Sequence, residues 1–332
     1  MKKVLVTGAS GFVGSHLVES ASALGWEVHA IVRSSSNVKA IEPYVSKFVY
    51  ANMSNVDELK LLFEQTAYDY VIHAAAMTKA KYEAEMIKVN VGYTENLMEA
   101  AFASPNPIER FVYVSSLAAI GPIPYATQEG IHEDSPYNPL TVYGRSKRAS
   151  ELRVREKFSD KPISVFRPTA VYGPREKDLF ILFDTLNKGF DPYIGSKPQK
   201  LSFVYVRDLV DVLLKGCTVS QGDLEFYNIS DGEVYSRYTM ADIFKEVFNK
   251  KALRLHLPHS LVSIFASISQ LLYKFSNNTP VIYPERLLEL TAENWCCDIS
   301  KAKRMLGFDP KYNLNRGLKE ALLWYKTNNW LK

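Results

Sequence analysis

Cysteine is scarce: the 332 residues hold three, Cys217 and the neighbours Cys296 and Cys297. An odd number without metal-ligand spacing argues against a disulfide framework or a zinc site and suits a reducing, cytoplasmic setting. No metal is expected. An excess of one charge is lacking too. A net charge of +4, with 23% charged residues and no long basic run, is too mild for a nucleic-acid surface. No uncharged apolar run reaches the roughly 18 residues of a spanning helix, and the chain is expected to lack a signal peptide and a transmembrane span. Repeats and low-complexity tracts are also absent. What is present is a composition of 47% apolar residues, enough to bury a large core as one large or two intimately joined domains.

The most informative stretch is Thr7 to Gly14, TGASGFVG, directly after the apolar Val4-Leu5-Val6. A buried strand runs into a loop with glycines at 8, 11 and 14, and an apolar helical pattern follows. Gly8 permits the tight turn, Gly11 lets backbone approach a pyrophosphate, and Gly14 lets the helix pack on the sheet. Gly8, Ser10, Gly11, Phe12, Val13 and Gly14 are therefore candidate cofactor contacts, with the helix N-terminus facing the diphosphate.

Strand-like runs at Val4–Val6, Val28–Val32, Phe48–Tyr50, Tyr70–Ala75, Phe111–Ser115 and Ile163–Phe166 alternate with helical runs such as Val56–Gln65 and Met86–Ala103. Apolar runs without alternation suit strands buried on both faces. Strand–helix alternation then predicts an α/β, doubly wound parallel sheet of the Rossmann type, with ligands beyond the carboxyl ends of the strands. Residues 1–174 are expected to form the dinucleotide-binding domain. Residues 175–202 and 231–332 are expected to form a smaller, mostly helical substrate-binding part, and 203–230 to return to the first domain, with Phe203–Leu214 rejoining the sheet.

Tyr143 and Lys147 stand four residues apart in YGRSK and share a helix face. A tyrosine is a poor base at neutral pH, and a nearby lysine cation favours its phenolate. Ser115 and Ser116 end a strand at the same sheet edge. They point to opposite faces, so only one can hold a substrate oxygen beside Tyr143.

Together these residues make the chain resemble an extended short-chain dehydrogenase/reductase of the NAD-dependent epimerase/dehydratase superfamily. TGASGFVG, VIHAAA (71–76), KVNVGYTENLMEA (88–100), FVYVSS, YGRSK and RPTAVYGPR (167–175) carry the resemblance. It implies Tyr143 as acid/base and Lys147 as the residue that orients the ribose and lowers the tyrosine pKa. It implies Ser116, five residues before Gly121, as the substrate-hydroxyl partner, with Ser115 second. Ala74, Ala75, Ala76, Asn90, Pro168 and Val171 become further cofactor candidates. Asn52 and Met53 stand where the family has an acidic residue. A homodimer is expected, paired through segments near 86–103 and 140–158.

Strand two ends in Ala30-Ile31-Val32-Arg33-Ser34, without the carboxylate that usually receives the ribose hydroxyls of NAD. Arg33 and Ser34 suit a 2′-phosphate, so NADP is expected over NAD. Ala170 and Leu201 occupy positions where nucleotide-sugar relatives carry Asn and Arg for a diphosphate, and Leu117-Ala118-Ala119 lacks the acidic residues of sugar dehydratases. The Arg167-Pro168 step and the tail at 295–302 look nearer the dihydroflavonol-4-reductase and 3β-hydroxysteroid-dehydrogenase-like branch. The expected activity is hydride transfer between cofactor and an alcohol or ketone on a small-molecule substrate that is not a nucleotide and is bulky and largely apolar. Alternatives are a nucleotide-sugar epimerase with tightly bound NAD and a non-catalytic NADP-binding sensor.

Ser260–Phe275 places Leu261, Ile264, Phe265, Ile268, Leu272 and Phe275 on one helical face. The plain expectation is a core helix of the small part. The alternative is a wall of an apolar pocket or a contact with a membrane surface.

Overall fold

The computed structural model describes residues 1–219, 222–273 and 283–331. Strands and helices alternate through the first half: β1 (Lys3–Thr7), α1 (Phe12–Ala23), β2 (Glu27–Ile31), β3 (Lys47–Val49), α2 (Val56–Gln65), β4 (Tyr70–His73), α3 (Glu83–Ile87), α4 (Tyr93–Ala103), β5 (Arg110–Val114), α5 (Val142–Lys157) and β6 (Ile163–Pro168). Then follow β7 (Ala170–Tyr172), α6 (Phe180–Asn187), β8 (Phe190–Ile194), β9 (Phe203–Tyr205), α7 (Val206–Thr218), β10 (Leu224–Ile229), α8 (Thr239–Phe248), β11 (Leu253–Leu257), α9 (His259–Tyr273), α10 (Pro284–Thr291), α11 (Ser300–Leu306) and α12 (Leu314–Thr327).

Seven strands form one parallel sheet in the order β10-β6-β5-β4-β1-β2-β3. Successive strand residues feed opposite faces, which is why the runs are apolar throughout. Val4 and Val6 pack with Leu17 and Val18 of α1 and with Leu209 and Leu213 of α7. Leu5 lies in the opposite layer with Leu59 and Phe63 of α2, Leu97 and Met98 of α4, and Val154 of α5. A third cluster joins Phe183 of α6, Phe244 of α8 and Leu318 and Leu322 of α12 over Tyr172 and Tyr205. All sheet strands end at one edge, where Thr7 is in register with Ile31 and His73, and His73 with Tyr113.

Three expectations are corrected by the structure. The strand that returns to the sheet is β10, whereas Phe203–Tyr205 pairs with Ala170–Tyr172 in a separate ladder. The residues after Tyr205 form α7, amphipathic and packed on the sheet, because their apolar positions recur with helical rather than strand period. The run Met86–Ala103 is not one helix: a wide π-type turn at Lys88–Gly92 separates α3 from α4. Finally, α9 is a helix as expected but not a core helix. Its buried residues are Val262 and Ala266, while Leu261, Ile264, Phe265, Ile268 and Leu272 are each more than half exposed. Phe275 lies outside the described residues.

Candidate active site

The sheet's carboxyl edge gathers the glycine loop, the end of β4, the end of β5 and the start of α5. Gly8 adopts φ +71°, and a Cβ there would lie 2.6 Å from the Ala75 nitrogen; a Cβ on Gly14 would lie 2.0 Å from the Gly8 oxygen. Both glycines are thus required by close backbone packing. Gly11 differs: a Cβ there would meet only the Gly8 oxygen at 3.2 Å, so its outer side is open. Gly11 caps α1 with no side chain over the helix end, and the first turn carries no acidic residue. The unpaired N–H groups of that turn can take an anion. The loop is braced through Thr7, whose hydroxyl meets His73 Nδ1 at 2.7 Å and accepts from the Ala75 N–H at 3.2 Å. Thr94 holds the other imidazole nitrogen at 2.9 Å. Burial lowers His73 to about 3, so it is a neutral strut between β1, β4 and α4.

These residues fit a dinucleotide: an open anion cradle at Gly11, Ser10, Phe12 and Val13, bordered by Ala74, Ala75 and Ala76. Arg33 and Ser34 lie exposed just past β2, whose end is in register with that of β1. Asn52 is exposed, with its side-chain oxygen accepting from the Ser54 backbone and hydroxyl. The Met53 carbonyl accepts from Asn96. Pro168 is buried at the end of β6 and Val171 is half-buried in β7. Asn90 does not offer its amide to the cradle: it accepts from the Met77 N–H at 2.7 Å and donates to the Met77 carbonyl at 2.8 Å and Ser146 Oγ at 2.9 Å. It ties the 77–78 loop to α5.

Tyr143 and Lys147 lie in the first two turns of α5, which Thr141 caps by accepting from the Gly144 N–H at 3.1 Å. Ser116 is half-buried after β5, accepts from the Ala118 N–H at 3.2 Å, and lies on the Tyr143 side, where its hydroxyl favours the phenolate. Gly144 allows this meeting, because a Cβ there would lie 2.4 Å from the Ala118 carbonyl oxygen. Ser115 points the other way and donates to Glu151. That carboxylate is fully buried against Arg167, 2.7 Å away, and accepts from Tyr137 at 2.8 Å. Ser115 thus belongs to a buried structural network, whereas Ser116 lies on the Tyr143 side.

Burial pushes the Tyr143 phenol up to about 12, with the Ser116 hydroxyl opposing. Burial pushes Lys147 down to about 7, with Glu151 opposing. The ammonium is aimed at the Val114 carbonyl, 2.8 Å away, and the Tyr113 hydroxyl at 3.3 Å. Within the chain, desolvation thus outweighs the pull that the Tyr-Lys spacing predicts, and Tyr143 is a protonated hydroxyl at neutral pH.

A cavity of about 630 Å³ opens beside Tyr143. Its walls come from the 78–83 loop and Met86, Thr141 and Val142, Asp178, Gln270 of α9, and Tyr283, Glu285, Arg286 and Glu289 around α10. Sequence reasoning did not find these walls, nor Gly144 or the Glu151–Arg167 pair. The glycine inside YGRSK was the available signal for the first of the latter two; the cavity walls carry no local motif.

The NAD dependent epimerase/dehydratase family model matches residues 4–230. The chain is 28% identical over 337 residues to a sterol-4-alpha-carboxylate 3-dehydrogenase (decarboxylating) of Dictyostelium discoideum, covering 96% of this chain and 100% of the relative. It is 25% identical to an N-acetyl-alpha-D-glucosaminyl-diphospho-ditrans,octacis-undecaprenol 4-epimerase of Escherichia coli O157:H7, covering 96% and 94%. The fold is that of a UDP-glucose 4-epimerase from Thermotoga maritima solved with UDP-glucose, with a TM-score of 0.77, 22% identity and coverage of 98% and 99%. A match over this much of the chain, together with the glycine cradle and the Ser116–Tyr143–Lys147 arrangement at one sheet edge, shows that the chain belongs to the NAD dependent epimerase/dehydratase family of enzymes.

Proposed function

We propose that this enzyme is an NADP(H)-dependent oxidoreductase that interconverts an alcohol and a ketone on an uncharged, non-nucleotide substrate. The observation that carries the reading is the charge of the cavity beside Tyr143. Its walls hold three cations, Lys79, Lys81 and Arg286, against four carboxylates, Glu83, Asp178, Glu285 and Glu289. Lys79 pairs with Asp178 and Arg286 with Glu289. Such walls do not favour a diphosphate, which calls for a cation surplus. Lys200, the cation next to Leu201, donates instead to the Tyr125 and Thr127 carbonyls. The sterol dehydrogenase among the relatives, though named for a carboxylate, accords with a substrate whose body is bulky and apolar; the undecaprenol-linked epimerase is the ground for the alternative, in which a keto intermediate turns and is reduced again.

The Gly8–Gly14 cradle would hold a nicotinamide dinucleotide, with Arg33 and Ser34 at its 2′-phosphate, and the chemistry it would supply when bound is hydride transfer. The chain's own residues do the rest. Ser116 and Tyr143 hold the substrate oxygen by two hydroxyl hydrogen bonds that strengthen as it gains charge. Tyr143, protonated at neutral pH, delivers the proton. Lys147 sits one turn on, where it can meet the ribose. Dimerisation through the outer faces of α4 and α5 belongs to the same proposal; a monomeric sedimentation profile at micromolar concentration would remove it. Calorimetric titration of the cofactor-loaded protein with UDP-sugars and with hydrophobic ketones tests the substrate class. Ketone binding without UDP-sugar binding is expected; tight, specific UDP-sugar binding would promote the epimerase.

A further inference from the structure

The helix α9 wears its apolar face outward. At about 100° per residue, Leu261, Ile264, Phe265, Ile268, Leu271 and Leu272 fall within one arc of roughly a third of the helix circumference, and each is 51–64% exposed. The opposite side, through Val262 and Ala266, is the one buried in the fold. Six large apolar side chains on one exposed stripe are not expected of a water-facing helix. Nor can the helix cross a bilayer: no helix among the described residues is long and apolar enough to do so.

We propose that α9 lies in the interfacial plane of an anionic lipid bilayer, with this stripe sunk among the acyl chains. The charge of the sequence on either side of the helix suits such a surface. From Val247 to Pro284 the sequence contains no Asp or Glu and has Lys250, Lys251, Arg254 and Lys274. The carboxylates of the packing neighbour α10 are neutralised, Glu285 by Arg145 and Glu289 by Arg286. Arg254 is itself paired, with Asp191 and Asp242, and Lys250 bonds Asn187, so the attraction is modest and the apolar stripe supplies the main part of the binding. Gln270, on the inward side of the same helix with Val262 and Ala266, lines the cavity that also holds Tyr143. Docking would leave the cavity of Tyr143 roughly one helix diameter from a substrate whose body is dissolved in the bilayer. That last consequence rests on the proposed activity; the docking itself does not.

The test is co-sedimentation of the full chain with vesicles of phosphatidylcholine alone or with equal parts phosphatidylglycerol. The wild type is expected to pellet with the anionic vesicles and more weakly with the neutral ones. Ile264→Glu with Ile268→Glu, both on the outward stripe, should leave the protein in the supernatant with unchanged circular dichroism and melting temperature. Lys250→Glu with Lys251→Glu should weaken binding to anionic vesicles by on the order of tenfold or more and leave neutral vesicles unaffected. Tyr143→Phe should bind vesicles like the wild type, which separates failure of docking from failure of the catalytic reading. Wild-type protein that ignores both vesicles overturns the proposal, as does a double-glutamate variant that still pellets. A double-glutamate variant that turns a wild-type dimer into a monomer, without vesicle binding by either, would show instead that a second copy covers the stripe.

Discussion

Gly144→Ala isolates the geometry that brings Tyr143 to Ser116. The added methyl would stand 2.4 Å from the Ala118 carbonyl oxygen and 3.0 Å from Pro139 Cβ. Ordinary contact begins near 3.4 Å, so α5 and the loop after Ser116 must separate by about 1 Å; neither neighbour is the tip of a flexible side chain, and close-packed interiors resist such shifts. Overpacking of this kind costs roughly 1–3 kcal/mol of stability. The separation acts directly on the approach of Tyr143 to Ser116, and a misplacement of about 1 Å can cost on the order of 100-fold in turnover. The cradle at Gly8–Gly14 is built on other elements, so cofactor affinity should hardly move. The measurements are kcat, cofactor titration by fluorescence, and thermal unfolding. Gly92→Ala is the control: its backbone is helical, at φ −61° and ψ −46°, and a Cβ there meets nothing within 4 Å, so it should match or slightly exceed wild-type stability. A Gly144→Ala enzyme with wild-type kcat and melting temperature would refute the close-approach argument.

Tyr143→Phe should lower turnover by well over tenfold, about 1.4 kcal/mol of barrier, with cofactor binding retained; a smaller loss would remove the acid/base role. Because burial raises the phenol to about 12, ketone reduction should lose no rate to phenol ionisation through mildly alkaline pH, above the titration of Lys147 at about 7. Alcohol oxidation needs the phenolate and should climb with pH over the same range, so an oxidation rate that falls there would contradict the assignment. Arg33→Ala should weaken NADPH binding by about 1.5–3 kcal/mol, the worth of hydrogen bonds to a charged group, and leave NADH unchanged; equal effects on both would end the 2′-phosphate reading. Arg167→Leu strands the buried Glu151 carboxylate and should cost about 3–5 kcal/mol in urea unfolding, much of it recovered when Glu151→Leu is added; an undiminished loss in the double variant would show that the pair matters for packing rather than charge.

The sequence by itself determined the parts whose cause is local. Val4 to Gly14 reads as strand, tight turn and helix because three glycines meet three short-range steric demands, two of which appear directly as backbone contacts at Gly8 and Gly14. The strands β1 to β6 are legible because burial on both faces demands unbroken apolar runs, and the Tyr143–Lys147 pair because helical period puts them on one side. Tertiary structure decided what depends on partners far along the chain. The surroundings of Ser115 and Ser116 differ because of Glu151 and Arg167, 36 and 52 residues past Ser115: the carboxylate that Arg167 holds takes the Ser115 hydroxyl and leaves that of Ser116. The seventh strand fell to Leu224–Ile229 because β6 offers its free edge there, while α7 covers the sheet. The direction of the proton equilibrium at Tyr143 was set by desolvation, which a spacing rule does not contain. The apolar stripe of α9 shows the same limit most plainly: periodicity identifies a one-sided helix, but only the packing of Val262 and Ala266 inward shows which side the protein leaves to its surroundings.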